Sequence, residues 1–205
     1  AQAYEKSGRD PLDVYKNRFD NNPDNVSYGL DYADKLMIAD RPNDAIDILK
    51  QVVDVDPSSK VAYRKLAQSY DSNDRLKDAA QTYERLFKLD PRDFRIAIKI
   101  SDVYVEDQDF KSAFNWADKA VTLSDEGEAY GAKGNVYYKA FQSCRSGEIS
   151  VDDRVIATLS HNLFEKAEEK GFSRYSGSKE WLKENEVLFG KAQWFMMDAD
   201  VKNKG

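Results

Sequence analysis

Tyr63-x-x-Leu66-Ala67-x-x-Tyr70, followed by Ala79-x-x-x-Tyr83-x-x-Leu86 and then Pro91, is the stretch that decides the fold. Tyr63, Leu66, Ala67 and Tyr70 fall at i, i+3, i+4 and i+7, which is one face of a helix. Ala79, Tyr83 and Leu86 give the same face to a second helix. Small residues, Ala67 and Ala79, stand where two helices must cross closely, and larger ones fill the space around them. Asn73-Asp74 breaks the chain between the helices, and Leu89-Asp90-Pro91 ends the second. A lone helix pair of this kind cannot bury its apolar face, so it requires neighbours.

Working outward, the neighbours recur at a fixed spacing. Pro23, Pro57 and Pro91 are 34 residues apart, as are Ala33, Ala67, Ser101 and Asn135. Leu36, Tyr70, Tyr104 and Tyr138 form a third ladder of the same period, and Ala45, Ala79 and Ala113 mark the second helices. Independent ladders sharing one period predict an all-α array of antiparallel helix pairs, each pair packing on the next. The expected units are a truncated repeat (1–23), three full repeats (24–57, 58–91 and 92–125), an irregular repeat (126–172) and a C-terminal capping helix (173–205), all in one solenoid domain.

In this pattern the chain resembles the tetratricopeptide repeat family, in full register over 24–125 and more loosely elsewhere. The resemblance implies a right-handed superhelical solenoid. It also implies the usual role of such solenoids, noncatalytic binding of other proteins, with the partner left open.

Composition fits that class. The chain has 205 residues, 41% hydrophobic and 33% charged, with a formal net charge of -6. The acidic balance argues against generic binding to nucleic acid or to anionic membranes. No apolar run approaches the length of a bilayer span. Cys144 is the single cysteine, so no internal disulfide can form, and both a reducing cytosol and export with a removed signal are compatible with that. The expected chain is soluble, cytoplasmic or exported. Gln2 to Arg9 reads as the tail of a helix whose beginning is missing, either a cut within a longer array or a mature end left by a signal peptidase. Asp10 then caps a helix that starts at Pro11 and carries Val14, Tyr15 and Phe19. Asn25-Val26-Ser27 is formally a glycosylation sequon, read here as a chance match in a repeat junction.

The irregular repeat departs from the ladder in two ways. Gly131 and Gly134 stand where bulkier residues are expected, at a cost of about 1 kcal/mol each relative to alanine unless a neighbouring helix approaches closely. Ser160, Phe164 and Ala167 rejoin the second-helix ladder only if 13 residues are added, which places an insertion at 141–153 with Ser150 to Asp153 capping the delayed helix. An insertion loop on the binding face and a longer helix pair are both open at this point. Beyond Gly171, residues 173–178 read as a polar linker. Lys179 to Met197 reads as one amphipathic helix, with Trp181, Leu188 and Phe195 on a seven-residue repeat. It would cap the array or serve self-association. Val201 to Gly205 are expected to fray.

The residues give catalysis little to work with. His161 is the only histidine, no Cys/His cluster offers a zinc site, and no cofactor or metal is implied. Binding has more material. The face of the first helices opposite the packing face carries Arg64, Lys65 and Gln68, then Arg95, Ile98, Lys99 and Asp102, then Ala129, Lys133 and Val136. The candidate concave-groove site is therefore Arg64, Lys65, Gln68, Arg95, Lys99, Asp102 and Lys133. Converging cations favour an acidic or carboxylate-bearing peptide, because Arg grips carboxylate through two hydrogen bonds. Some members of the family clamp the acidic C-terminal tails of heat-shock chaperones in this way. The resemblance to that clamp is partial: Arg95 and Lys99 match its spacing, but Leu30 and Asp34 replace its earlier Lys and Asn, and Lys65 stands where an Asn is expected. The specificity is not carried over. The other expectations are a scaffold segment or self-associating subunit, and, more weakly, a small-molecule carrier or enzyme using a cavity near Gly131, Gly134 and the insertion.

Overall fold

A computed structural model describes residues 11–145 and 147–197. The expectations for 1–10 and for Val201 to Gly205 lie outside the described residues. The chain divides after Pro91 into two compact units.

The first unit contains α1 (Pro11–Asp20), α2 (Val26–Ile38), α3 (Pro42–Val55), α4 (Lys60–Asp71) and α5 (Leu76–Leu89). Each packs against the next. The starts follow from the sequence: the side chains of Asn25 and Ser59 accept hydrogen bonds from the Tyr28 and Ala62 amides, at 3.2 and 3.3 Å. Pro42, expected in the turn, is the first residue of α3, where its missing N–H costs nothing. The ladder residues Ala33, Leu36, Ala45, Leu49, Leu66, Ala67, Ala79 and Leu86 are all buried. In α1 only Phe19 is buried, and Val14 and Tyr15 are half-buried. Phe19 lies against the Cα of Gly29, where any Cβ would come within 2.3 Å of a Val52 methyl carbon.

The second unit contains α6 (Phe94–Glu106), α7 (Phe110–Leu123), α8 (Gly127–Cys144), α9 (Val151–Glu169), α10 (Ser176–Glu184) and α11 (Lys191–Met196). Two serines take ladder positions held elsewhere by alanine, and each turns its hydroxyl into a bond across the helix pair. Ser101 donates to the Ala113 carbonyl and Ser160 to the Gly134 carbonyl, both at 2.8 Å, so neither buried hydroxyl is left unsatisfied.

The turns inside the helix pairs share one device. Asp40, Asp74 and Gln108 have φ of 56°, 54° and 59°, and they stand 34 residues apart. A left-handed residue just after the helix lets the following amide reach back to an orphan carbonyl. Arg41 N and Arg75 N do so, to Leu36 O and Tyr70 O, at 2.9 Å each. The next position at this period is Gln142, and there the chain stays helical. Helix α8 consequently runs for 18 residues, against 12 to 14 for α2 to α7. Helix α9 runs for 19 residues, and its Ser150 and Asp153 form a reciprocal capping box. Most of the added length therefore lies in the helices.

The glycines of α8 are close-approach sites. A Cβ at Gly127 would lie 2.6 Å from the Ala167 carbonyl oxygen, at Gly131 2.7 Å from the Phe172 ring, and at Gly134 2.8 Å from the Phe164 ring. Tyr175 stacks on Phe164 with centroids 5.2 Å apart. Rings from 164–175 thus fill the face that the small residues leave open.

The single C-terminal helix expected over 179–197 is corrected by the structure. Helix α10 starts earlier, at Ser176, inside the supposed linker, and stops at Glu184. Glu186 takes a φ of 53°, and α11 starts only at Lys191. Tertiary contacts override the seven-residue pattern. The break drops Val187, off the expected stripe, into a core with Leu182, Phe141 and Phe164, while Phe195 is left 85% exposed. The backbone groups released by the break find partners on α9. Arg154 donates to Glu186 O at 2.7 Å, and Phe189 N donates to the Thr158 hydroxyl at 3.1 Å.

Candidate functional site

The predicted binding residues fall in both units. In the first, Arg64 and Gln68 are exposed on α4, and Lys65 is half-buried beside them. Lys65 Nζ reaches Asp34 on α2 at 2.5 Å, so the position read as replacing a clamp Asn neutralises the position read as replacing the other.

In the second unit, α6 presents Arg95 and Lys99 one turn apart, both exposed, with Asp102 half-buried one turn further. Arg95 is held by two carboxylates, Glu126 and Glu128, at 2.9 Å each. Lys99 forms no ion pair among the described residues. The structure places Lys133 differently from the expectation. Its Nζ pairs with Asp118 of α7 at 2.5 Å and lies 5.0 Å from the centroid of the Phe114 ring. It therefore points toward α7. Ile98, Ala129 and Val136, assigned to the same outward face, are buried. Helix α8 packs against α6 as well as α7 and α9, which leaves it little free face, and Val136 joins Ala113 and Ala117 in a core cluster.

Tyr175 was missed, because its neighbours in sequence are polar. Burial, together with the nearby Asp102 and Glu128 carboxylates, pushes its hydroxyl up to about 12. It stays protonated at neutral pH, with its ring packed against Phe164 and Phe172. Tyr137 is also pushed up to about 12, by burial and by Asp118. The paired acids behave in the opposite sense. The Lys179 ammonium and Ser176 hydroxyl hold Glu168 below the usual carboxylate range.

Among the described residues no group of three or more His, Cys, Asp or Glu is placed to hold a metal ion, and no helix is long and apolar enough to cross a membrane. His161 Nδ1 lies 3.7 Å from a Glu165 carboxylate oxygen.

Helix pairs repeated every 34 residues, locked by small residues at their crossings, define the class: an all-α helical repeat solenoid, a fold that works as a protein-binding surface. The tetratricopeptide repeat family matches residues 36–100, and the chain carries tetratricopeptide repeats there. Solved structures of tetratricopeptide repeat proteins share the fold. A crystal structure of MamA aligns with a TM-score of 0.63 at 24% identity, covering 78% of this chain and 86% of that one. TTC0263, a protein from Thermus thermophilus, aligns at 0.54 and 16% identity over 84% of this chain and 87% of its own. YrrB, described as having an unusual peptide-binding site, aligns at 0.51 and 13% identity over 86% of this chain and 95% of its own. No curated protein matches the sequence.

Proposed function

We propose that the chain is a noncatalytic binding module for an extended, carboxylate-bearing segment of a partner protein, engaged along the exposed face of α6. The observation that carries this reading is the pair Arg95 and Lys99. Lys99 is exposed without an ion pair among the described residues, one turn from a guanidinium already gripping two carboxylates. Exposed ion pairs contribute about 0–1 kcal/mol, so a partner carboxylate can replace Glu126 or Glu128 on Arg95 at small cost. On the first unit Arg64, Lys65 and Gln68 offer the corresponding face of α4, with Lys65 partly neutralised by Asp34; Lys133 contributes at most through its field.

The test is affinity capture from the native lysate, read by mass spectrometry, with the chain and its Arg95→Glu/Lys99→Glu variant. A prey lost only with the variant supports the α6 face. A prey retained equally by both overturns it.

A second reading, self-association, is favoured by Phe195 and Met196, each 85% exposed on α11. Light scattering would show a mass that rises with concentration and returns to the monomer in Phe195→Ser/Met196→Ser. A monomer at all concentrations rules it out.

A further inference from the structure

The break between α10 and α11 builds a cavity. It has a volume of about 380 Å³ and lies between α9 and the 183–194 segment. Its outer wall is fixed to α9 by the bonds from Arg154 to Glu186 O and from Phe189 N to Thr158, whose hydroxyl in turn donates to Arg154 O at 2.7 Å. A continuous helix over 179–197 would have had no such wall.

The lining has a definite chemical character. Phe189 and Trp194 form an apolar side, their rings stacked with centroids 6.4 Å apart. His161, Asn162 and Glu165 line it from α9, and Lys183 lines it from α10. Glu165 has His161 at 3.7 Å and also feels the Lys179 ammonium, whereas Lys183 forms no ion pair among the described residues. One carboxylate and one ammonium therefore line the same cavity with no ion pair between them.

We infer that this cavity binds a free amino acid with a large apolar or aromatic side chain. A simple anion would leave Glu165 facing it, and a simple cation would leave Lys183 facing it; a zwitterion satisfies both. The ligand carboxylate lies toward Lys183, its ammonium toward Glu165 and Asn162, and its side chain against Phe189 and Trp194. The volume sits at the small end of the range of ligand pockets, which suits a single amino acid. The cavity uses no residue of α6, so the inference stands apart from the peptide-binding reading.

The probe is L-tryptophan, with tryptamine lacking the carboxylate and indole-3-propionate lacking the ammonium. His161 is the only histidine, so its imidazole NMR signals report on the cavity without ambiguity. L-Tryptophan is expected to shift those signals with a Kd of roughly 0.1–1 mM, and both partial analogues to bind at least about tenfold more weakly. Lys183→Met should weaken L-tryptophan by about tenfold and leave tryptamine unchanged, while Glu165→Gln should weaken L-tryptophan and leave indole-3-propionate unchanged. Glu165→Gln preserves shape, so it decides the matter if Lys183→Met folds poorly. His161 signals that do not move at about 10 mM L-tryptophan would overturn the proposal. So would equal binding of all three compounds, or L-tryptophan binding unaffected by both variants.

Discussion

Helices α2 to α5 and helices α8 to α11 start from the same kind of pair and end differently. In α2 and α4 the helix stops at a left-handed residue, Asp40 or Asp74, and the partner begins within a few residues. The packing there is aliphatic and aromatic residues against alanines. In α8 the stop is missing, the helix continues to Cys144, and its glycine face is filled by aromatic rings that come later in the chain. The comparison teaches that periodic regions spend their sequence on packing with the next copy. Where the period fails, long-range contacts take over.

The sharpest test of that contrast is Phe164→Ala. Phe164 is 1% exposed, lies over Gly134 and stacks with Tyr175, and no neighbouring repeat can close the hole. Urea unfolding should show a loss of about 3–5 kcal/mol. A loss below about 1 kcal/mol would mean that the rings are not what holds α8 to α9. Gly127→Ala comes next. The new methyl would meet a backbone carbonyl that cannot swing away, and the expected cost is about 1–3 kcal/mol. An unchanged midpoint would break the claim that α8 and α9 approach at a limit set by glycine.

Alkaline pH separates the regions again, because Tyr137 and Tyr175 both belong to the aromatic end. Each is raised from 10.0 to about 12, so the folded chain keeps two phenolic protons that the unfolded chain releases earlier. This contribution to stability is fully present below pH 10 and is lost as pH rises toward 12. Melting temperature should fall across that window, and absorbance titration should show two phenols ionising late. Ionisation of every tyrosine near pH 10 would contradict the burial. The smallest effect is Gly177→Ala in α10, where a Cβ meets nothing within 4 Å. It should stabilise by about 0.4–1 kcal/mol, a gain that glycines in contact with rings cannot give.

Much of this was readable in advance. The alanine and tyrosine ladders place the helices of 24–125, and the cap at Ser150 follows from four residues. The helix stops were harder, because Asp40, Asp74 and Gln108 do the work usually given to glycine. Nothing local marks Asn185-Glu186 as a break either. Trp181, Leu188 and Phe195 repeat convincingly, and only the three-dimensional core shows that Val187 is the buried one. For the candidate site, the exposed cations were legible and their pairing was not. Lys65 meets Asp34 at a separation of 31 residues, and Arg95 meets Glu126 and Glu128 at 31 and 33. A search for opposite charges spaced slightly under one period would have found these pairs. No such rule could have found Tyr175 or the cavity at His161, which depend on segments outside the repeat.

The left-handed residues at Asp40, Asp74 and Gln108 also bear on how such a chain tolerates change over evolutionary time. Each turn is closed by its own left-handed residue, through backbone hydrogen bonds made within the pair. A length change downstream of one stop therefore sends no register error back through the others. Thirteen residues could enter the fourth pair while Ala33, Ala67 and Ser101 kept their places, which makes the irregular end the place where new chemistry can be tried without risk to the frame.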